Sequence, residues 1–230
     1  MEEKPKRAST NIRVKNFFNG KINLLKLREY QLKLSQKVKL EKVNLDKVRI
    51  YGALDVGYRR KRARGAYVIY DDELKKIIYE DIIEKEVNFP YIPTFLSFRE
   101  IPVLSLLYKR APLKPHILFI DGQGILHPAR CGIATHFGVL FNAVTIGIAK
   151  KKLEGFLERE PEKEMEYTPI YLDGKISGYC LRISRGKKFL WISPGNLITP
   201  EDTLFITLKF IKNGTHILMK RADALTKKDF

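Results

Sequence analysis

The sequence predicts an α/β fold, a mixed central sheet flanked by helices. Three observations carry this. Val48 to Tyr58, Gly65 to Tyr70 and Lys75 to Val87 are rich in β-branched and aromatic residues and follow at short spacing, which predicts three antiparallel strands. His116 to Asp121 and Val144 to Ala149 are short continuous apolar runs, as in strands buried on both faces. A stretch of helical period precedes each of these runs. Strand–helix–strand–helix–strand order implies parallel pairing through crossovers.

The elements follow in order. Residues 1–20 are polar, basic and end in Asn19-Gly20, which predicts a flexible arm. Residues 21–43 place Leu24, Leu27, Leu32, Leu34 and Leu40 among Lys and Glu, the pattern of a basic amphipathic helix. Residues 1–20 as arm, 21–47 as basic helical segment and 48–230 as main domain is the expected organisation. Asp71-Asp72-Glu73 reads as the turn between the second and third strands. Thr94 to Arg110 has a helical period, with Thr94 placed to cap it and Pro102 to kink it. Gly132 to Leu140 is a further helix. Glu158 to Glu166 is an acidic loop, and Ser177 to Ile183 with Lys188 to Ser193 form a second hairpin around Arg185-Gly186. Thr199 caps a helix with Pro200 at its first position, continuing through Leu204 to Ile211. Ala222 to Lys228 is a short last turn.

Composition narrows the function. The 230 residues are 44% hydrophobic and 30% charged, a globular balance. There are 43 Lys and Arg against 26 Asp and Glu, a net charge of +17. Of these, 19 basic and 6 acidic residues fall within the first 64 positions. Such a charge points to nucleic acid or an anionic membrane face. Phe137 to Ala149, the longest apolar stretch, is broken by Asn142 and is shorter than the roughly 20 residues of a membrane span. The N-terminus has no apolar signal region. Cys131 and Cys180 stand in no metal or redox spacing and read as reduced residues of an intracellular protein, a single disulfide being the alternative.

Three acids stand out by position. Asp55 and Asp121 end strands and Glu100 lies on the helix between them. A carboxylate at the end of an apolar strand is costly unless something pairs with it. Each acid alone reads as a cap or an ion-pair partner. Brought together they would repel, and a hard cation such as Mg²⁺ or Mn²⁺ is the natural partner. After Asp121, Gly122 and Gly124 permit close approach to the backbone or are plain turn residues, and His127 follows on the same loop. Phe89-Pro90-Tyr91-Ile92-Pro93 sets an aromatic between prolines on a stiff loop, which suits either a wedge that unstacks bases or a lid over the core.

These strings resemble the endonuclease V family over roughly residues 49–200. The resemblance is carried by ALDVGY with Asp55, PYIPTFLSFRE with Tyr91 and Glu100, DGQGILHPARCGIATHFGV with Asp121, His127 and His136, and VTIGIAK with Lys150. It implies an RNase H-like fold and hydrolysis of the second phosphodiester bond 3′ to deoxyinosine in DNA, a repair reaction. Mg²⁺ would be the cofactor, with Mn²⁺ able to substitute, and the products a 3′-hydroxyl and a 5′-phosphate. Inosine in RNA is the substrate of some members. Asp55 and Asp121 would ligate metal, with Glu100 close to it. Lys150 would supply charge at the phosphate and His127 would orient phosphate or water. Tyr91 would be the wedge. Pro93, Leu96, Gly122, Gly124, Gly132 and His136 would line the substrate side. A cytoplasmic monomer is expected. The rival reading is a non-catalytic binder of deaminated nucleic acid, against which the retention of all three acids with His127 and Lys150 argues.

The sequence departs from the family pattern in three places. Asn196 stands where a histidine usually follows Pro-Gly, which puts a metal-assisting role there in question. Thr94 stands where the wedge loop usually has Gly. No proline-rich segment is recognisable in Gly214 to Arg221. The basic residues 1–47 lie outside the resemblance. Deleting residues 1–15, which carry Lys4, Lys6, Arg7, Arg13 and Lys15 against Glu2 and Glu3, is expected to weaken nucleic-acid binding and flatten its salt dependence without moving the cleavage position. An unchanged slope of log affinity against log salt would make this segment a bystander.

Overall fold

The computed structural model describes residues 22–186 and 188–228. The arm expected over 1–20 lies outside the described residues. In chain order there follow α1 (Leu24–Ser35), a 3₁₀ turn (Leu45–Lys47), β1 (Ile50–Arg59), β2 (Arg62–Asp71) and β3 (Lys76–Glu86). Then come α2 (Leu96–Arg110), β4 (Ile117–Asp121), α3 (Ile133–Phe141), β5 (Thr145–Ala149), β6 (Phe156–Leu157), β7 (Tyr167–Leu172), β8 (Lys175–Ser184) and β9 (Lys188–Asn196). The chain closes with α4 (Pro200–Lys209), β10 (Ile211–Lys212), β11 (Thr215–His216) and α5 (Ile217–Lys227).

Strands β1 to β9 form one sheet in the order β3-β2-β1-β4-β5-β9-β8-β7-β6. Only β1, β4 and β5 pair parallel, and every other neighbour is antiparallel. This is the mixed sheet of an RNase H-like fold, and helices cover both faces. Side chains alternate across each strand. Tyr51, Ala53 and Phe119 therefore face α4 and α5 in one core, while Leu54 and Ile120 face α2 and α3 in the other. The edges are blunted: β3 is rich in Lys and Glu, and β6 is two residues long.

Several boundaries differ from the expected ones. Helix α1 ends at Ser35 because tertiary pairing takes the chain beyond it: the Lys39 N–H donates to Asn196 Oδ1 (3.1 Å) and the Lys39 carbonyl accepts from Leu197 N–H (2.7 Å). Thr94 does not cap α2. Phe95 holds that position without a side-chain cap, while the Thr94 hydroxyl is engaged by Arg28. Pro102 sits on the exposed face and does not end the helix. Helix α4 stops at Lys209, and a tight hairpin with Asn213 (φ 49°) and Gly214 (φ 64°) at its turn follows. Helix α5 begins five residues before the expected Ala222 and runs for 11 residues. Strand β7, unanticipated in the sequence, contains Pro169. Both cysteines are free and buried.

His216 starts α5. Its Nδ1 accepts from the Met219 N–H (3.3 Å), and its ring packs on Phe119 and Phe210 at centroid distances of 4.5 and 5.7 Å. Burial pushes its pKa from 6.5 down to about 3, so it is neutral when folded. The unfolded chain takes up a proton near the ordinary value. The His216 contribution to stability is thus complete above pH ~6.5 and lost as pH falls toward the folded pKa. Asn in its place keeps the cap and cannot titrate. In denaturant unfolding, wild type is expected to lose stability relative to His216→Asn by up to about 1.4 kcal/mol per pH unit below pH ~6. Parallel pH curves for the two proteins would refute this.

Candidate active site

The parallel strands set the geometry. Leu54 is in register with Ile120, so Asp55 and Asp121 follow side by side on adjacent strands. Asp55 does not end β1, which continues to Arg59 alongside β2; it stands where the parallel pairing with β4 stops. Asp55 is buried, with one carboxylate oxygen accepting from the Val56 N–H (2.8 Å). Burial first, and then the neighbouring Asp121 carboxylate, push the Asp55 pKa up to about 7. Glu100 comes from α2 beneath the pair. It is buried and accepts from the Tyr58 hydroxyl (3.1 Å). Burial raises its pKa well above the ordinary range; the Tyr58 bond opposes this, and the Asp55 and Asp121 charges add to it.

Lys150 follows β5. Its Nζ lies 3.1 Å from Asp121 Oδ2 and 3.8 Å from Asp223 Oδ1. Burial works against its charge, but Asp121, Asp55 and Asp223 outweigh this and raise its pKa. Asp223 was not anticipated. It lies on α5, on the opposite face of the sheet from Glu100, and the sequence shows only an acid in a lysine-rich stretch. A longer α5 read from the Asn213-Gly214 turn onward would have placed it one helical turn from Lys220, above the sheet.

Among the described residues no three acids, histidines or cysteines close on one point as a finished metal cage. The structure instead offers a carboxylate pair in which one member retains its proton near neutral pH, with an ammonium laid across the other. Mg²⁺ is commonly held by one or two carboxylates and keeps several waters. The pair fits that demand: a hard cation between Asp55 and Asp121 would replace the proton and remove the repulsion.

The remaining predicted residues fall into two groups. Tyr91 is 67% exposed on its loop, beside exposed Pro93 and half-buried Leu96. The loop is tied at both ends. Arg99 donates to the Phe89 carbonyl (2.7 Å), and the Thr94 carbonyl accepts from Gln31 Nε2 (2.8 Å) and lies 2.9 Å from His127 Nε2. His127 Nδ1 accepts from the Ala129 N–H, so the proton resides on Nε2 and is donated to Thr94. Burial lowers the His127 pKa to about 4, against the Thr94 bond.

The second group is closed in by the chain's own atoms. His136 is buried, with Nδ1 3.0 Å from Ser97 Oγ and its ring against Tyr30 and Phe98. A Cβ on Gly124 would lie 2.1 Å from the Pro194 carbonyl oxygen, and one on Gly132 2.2 Å from that of Gln123. The missing side chains at these two positions admit the chain's own backbone rather than a ligand. Gly122 has φ +130° and would meet Ile133. Asn196 is buried between α3 and the segment after α1: its Oδ1 accepts from Lys39 N–H and its Nδ2 donates to the Gly138 carbonyl (3.2 Å).

The Endonuclease V family model matches residues 32–217. Endonuclease V of Methanopyrus kandleri is 34% identical over 186 residues, covering 81% of this chain and 80% of its own length. The crystal structure of Endonuclease V from Bacillus subtilis superposes with a TM-score of 0.83 at 26% identity, covering 90% of this chain and 92% of that one. That of Ciona intestinalis Endonuclease V, in complex with a 24mer DNA containing an inosine followed by a ribo-adenosine, gives 0.76 at 24% identity, covering 90% and 97%.

The Asn196 geometry has its own test. Asn196→Ala removes the side-chain partner of the part-buried Lys39 N–H, while the Gly138 carbonyl keeps the Asn142 and Ala143 N–H donors, so the loss is about 1–2 kcal/mol. A fall in Tm of about 2–8 °C is expected, with the turnover of the folded protein unchanged. An unchanged Tm with altered turnover would return Asn196 to the chemistry.

Proposed function

The chain belongs to the endonuclease V family of nucleases, and from that premise we propose that it is a divalent-cation-dependent endonuclease that cuts DNA at the second phosphodiester 3′ to deoxyinosine. The single observation that supports this most is the carboxylate pair. Asp55 and Asp121 lie side by side, and the burial and mutual repulsion that raise the Asp55 pKa are what a hard cation would relieve.

A divalent cation held there would supply Lewis acidity at the phosphate and promote attack by water. The chain's own residues do the rest. Asp55 and Asp121 would hold the cation, and Asp223 completes the acidic rim from α5. Glu100, fixed by Tyr58, sets the field beneath the pair. Lys150 releases Asp121 and turns its ammonium toward a bound phosphate, where it opposes the charge that builds as water adds to phosphorus. The bond from phosphorus to the 3′ oxygen breaks. That oxygen leaves as a hydroxyl, and the phosphate remains on the 5′ end of the downstream piece. His127 acts at one remove, by holding the Thr94 carbonyl and with it the Tyr91 loop.

Tyr91 supplies the wedge. Extruding a paired base costs a few kcal/mol, and less from a single strand. An inserted ring recovers about 1–3 kcal/mol by stacking. The DNA partner of the Ciona structure accords with this reading.

The deciding experiment uses labelled DNA and RNA of one sequence, each with a single inosine, with Mg²⁺ or with EDTA. Cleavage of DNA only with Mg²⁺ is expected. Asp121→Asn should lose at least about 10²-fold in single-turnover rate and still bind. Tyr91→Ala should lose about 5- to 100-fold on duplex and less on single strand. Full activity of Asp121→Asn, or cleavage in EDTA, would overturn the proposal. Equal losses of Tyr91→Ala on both substrates would remove the wedge alone.

A further inference from the structure

The carboxylate site opens on one side into a groove of about 530 Å³. Asp121, Lys150 and Asp223 form its near end. Its floor is apolar and includes Ile148, Ile183 and Leu190, which belong to the core beneath α4 and α5. Lys188 of β9 and Lys220 of α5 line it beyond the acids, with the Asn213 turn between them in sequence. Lys188 alternates with Leu190 and Ile192 along β9, and therefore stands on the α5 face. Its Nζ donates to the Gly214 carbonyl (3.2 Å), which ties the β8–β9 hairpin to the β10–β11 turn and leaves two further ammonium hydrogens. Lys220 is exposed.

The groove changes character along its length. Its near end is acidic, with Lys150 between Asp121 and Asp223. Its far end carries ammonium groups over an apolar floor. A nucleotide strand fits this gradient, with sugars and bases against the floor and phosphates on the lysines. Pockets of about 300–1,000 Å³ hold one drug-sized ligand, so this groove takes one or two nucleotides.

The fold also fixes which part of the strand. The Tyr91 loop leads directly into α2 and is tied to Gln31 of α1, which packs against α3; α2 and α3 lie on one face of the sheet. The groove lies on the other face, under α5. The acids stand where the central β1–β4 pairing ends, between Glu100 of α2 and Asp223 of α5. A strand gripped at the lesion on the α2 side and cut there continues onto the α5 side.

We propose that this groove, with Lys188 and Lys220 as its phosphate contacts, binds the nucleotides 3′ to the scissile bond. The direction rests on the proposed function, in which cleavage falls 3′ to the lesion; the existence of the site does not.

The test uses single-stranded inosine DNA of fixed 5′ length with one, two, four or eight nucleotides 3′ to the expected cut. Two measurements are made on wild type and on Lys188→Ala/Lys220→Ala: binding by anisotropy in EDTA, and single-turnover cleavage in Mg²⁺. Wild-type affinity is expected to rise about tenfold between one and four nucleotides and then level off. The double variant should lose that rise and about 1.4 from the slope of log affinity against log salt, at about 0.7 per phosphate on a single strand. A wild type indifferent to 3′ length, or a double variant that keeps the full dependence, would overturn the proposal. Length-dependent binding that the double variant loses, with no cleavage of any substrate, would uphold the groove and refute the nuclease reading.

Discussion

Two carboxylates held side by side at the end of a parallel strand pair are what the rest of this molecule accommodates. Asp55 and Asp121 directly follow Leu54 and Ile120, neither of them exposed to solvent. At about 4 Å and an effective dielectric of about 20, two like charges repel by roughly 4 kcal/mol. The chain reduces that cost in the ways open to it. Burial and the Asp121 charge raise the Asp55 pKa to about 7, which biases it toward its neutral form. Lys150 reaches Asp121 from the end of β5. Glu100 beneath them is also biased toward its neutral form and accepts from Tyr58. None of these removes the carboxylates. A fold selected for stability alone would place apolar side chains here, as it does one residue earlier on both strands. Acids retained beside these apolar strands fit a hard cation, which would supply the compensation.

The acids and the Tyr91 loop are not independent. Arg99 donates to the Phe89 carbonyl at the loop's start, and its guanidinium lies 4.2 Å from the centroid of the Tyr58 ring. The Tyr58 hydroxyl then holds Glu100. Three contacts therefore run from the loop to the carboxylate site. At its other end the loop is fixed by Gln31, Arg28 and His127, on two further elements. Preorganisation of this kind lowers the entropy lost on binding, since a ring on a fixed loop need not be ordered when a ligand arrives.

What the sequence disclosed and what it hid divide along a physical line. The buried strands β4 and β5, the β1–β2–β3 meander and the Thr199-Pro200 helix start were legible because local pattern decides them. Asp55, Glu100, Asp121 and Lys150 were legible as a set, and the fold brings them together. Features set by distant contacts were not. Helix α1 stops where Lys39 pairs with Asn196 and Leu197, more than 150 positions away, and nothing near Ser35 announces it. Asp223 was hidden because α5 was read as a single turn, although Asn213-Gly214 signals a hairpin just before it. Gly124 and Gly132 suggested room for a ligand. Only coordinates show that the chain's own carbonyls occupy that room. Asn196 suggested an altered catalytic corner, and only coordinates show that both ends of its buried amide are engaged, by Lys39 and Gly138.

Thr94 shows how one substitution can draw in a distant element. Its φ is 69°, in the left-handed region, where a β-branched residue is strained by about 1–3 kcal/mol and Gly is not. Such a conformation persists only when its surroundings over-determine it. Here they do. The Thr94 hydroxyl binds the Arg28 guanidinium at 2.6 Å, and its carbonyl faces both Gln31 and His127. Gly would need no such restraint, but it would offer no hydroxyl to α1. Arg28 also lies 4.6 Å from the centroid of the Phe95 ring, the next residue in the chain. The hydroxyl that makes the conformation costly is thus the group that recruits α1 to hold it. The strain and its restraint come from the same side chain, which gives the basic N-terminal helix a function that charge alone does not: it holds the base of the Tyr91 loop in the one backbone conformation the loop requires.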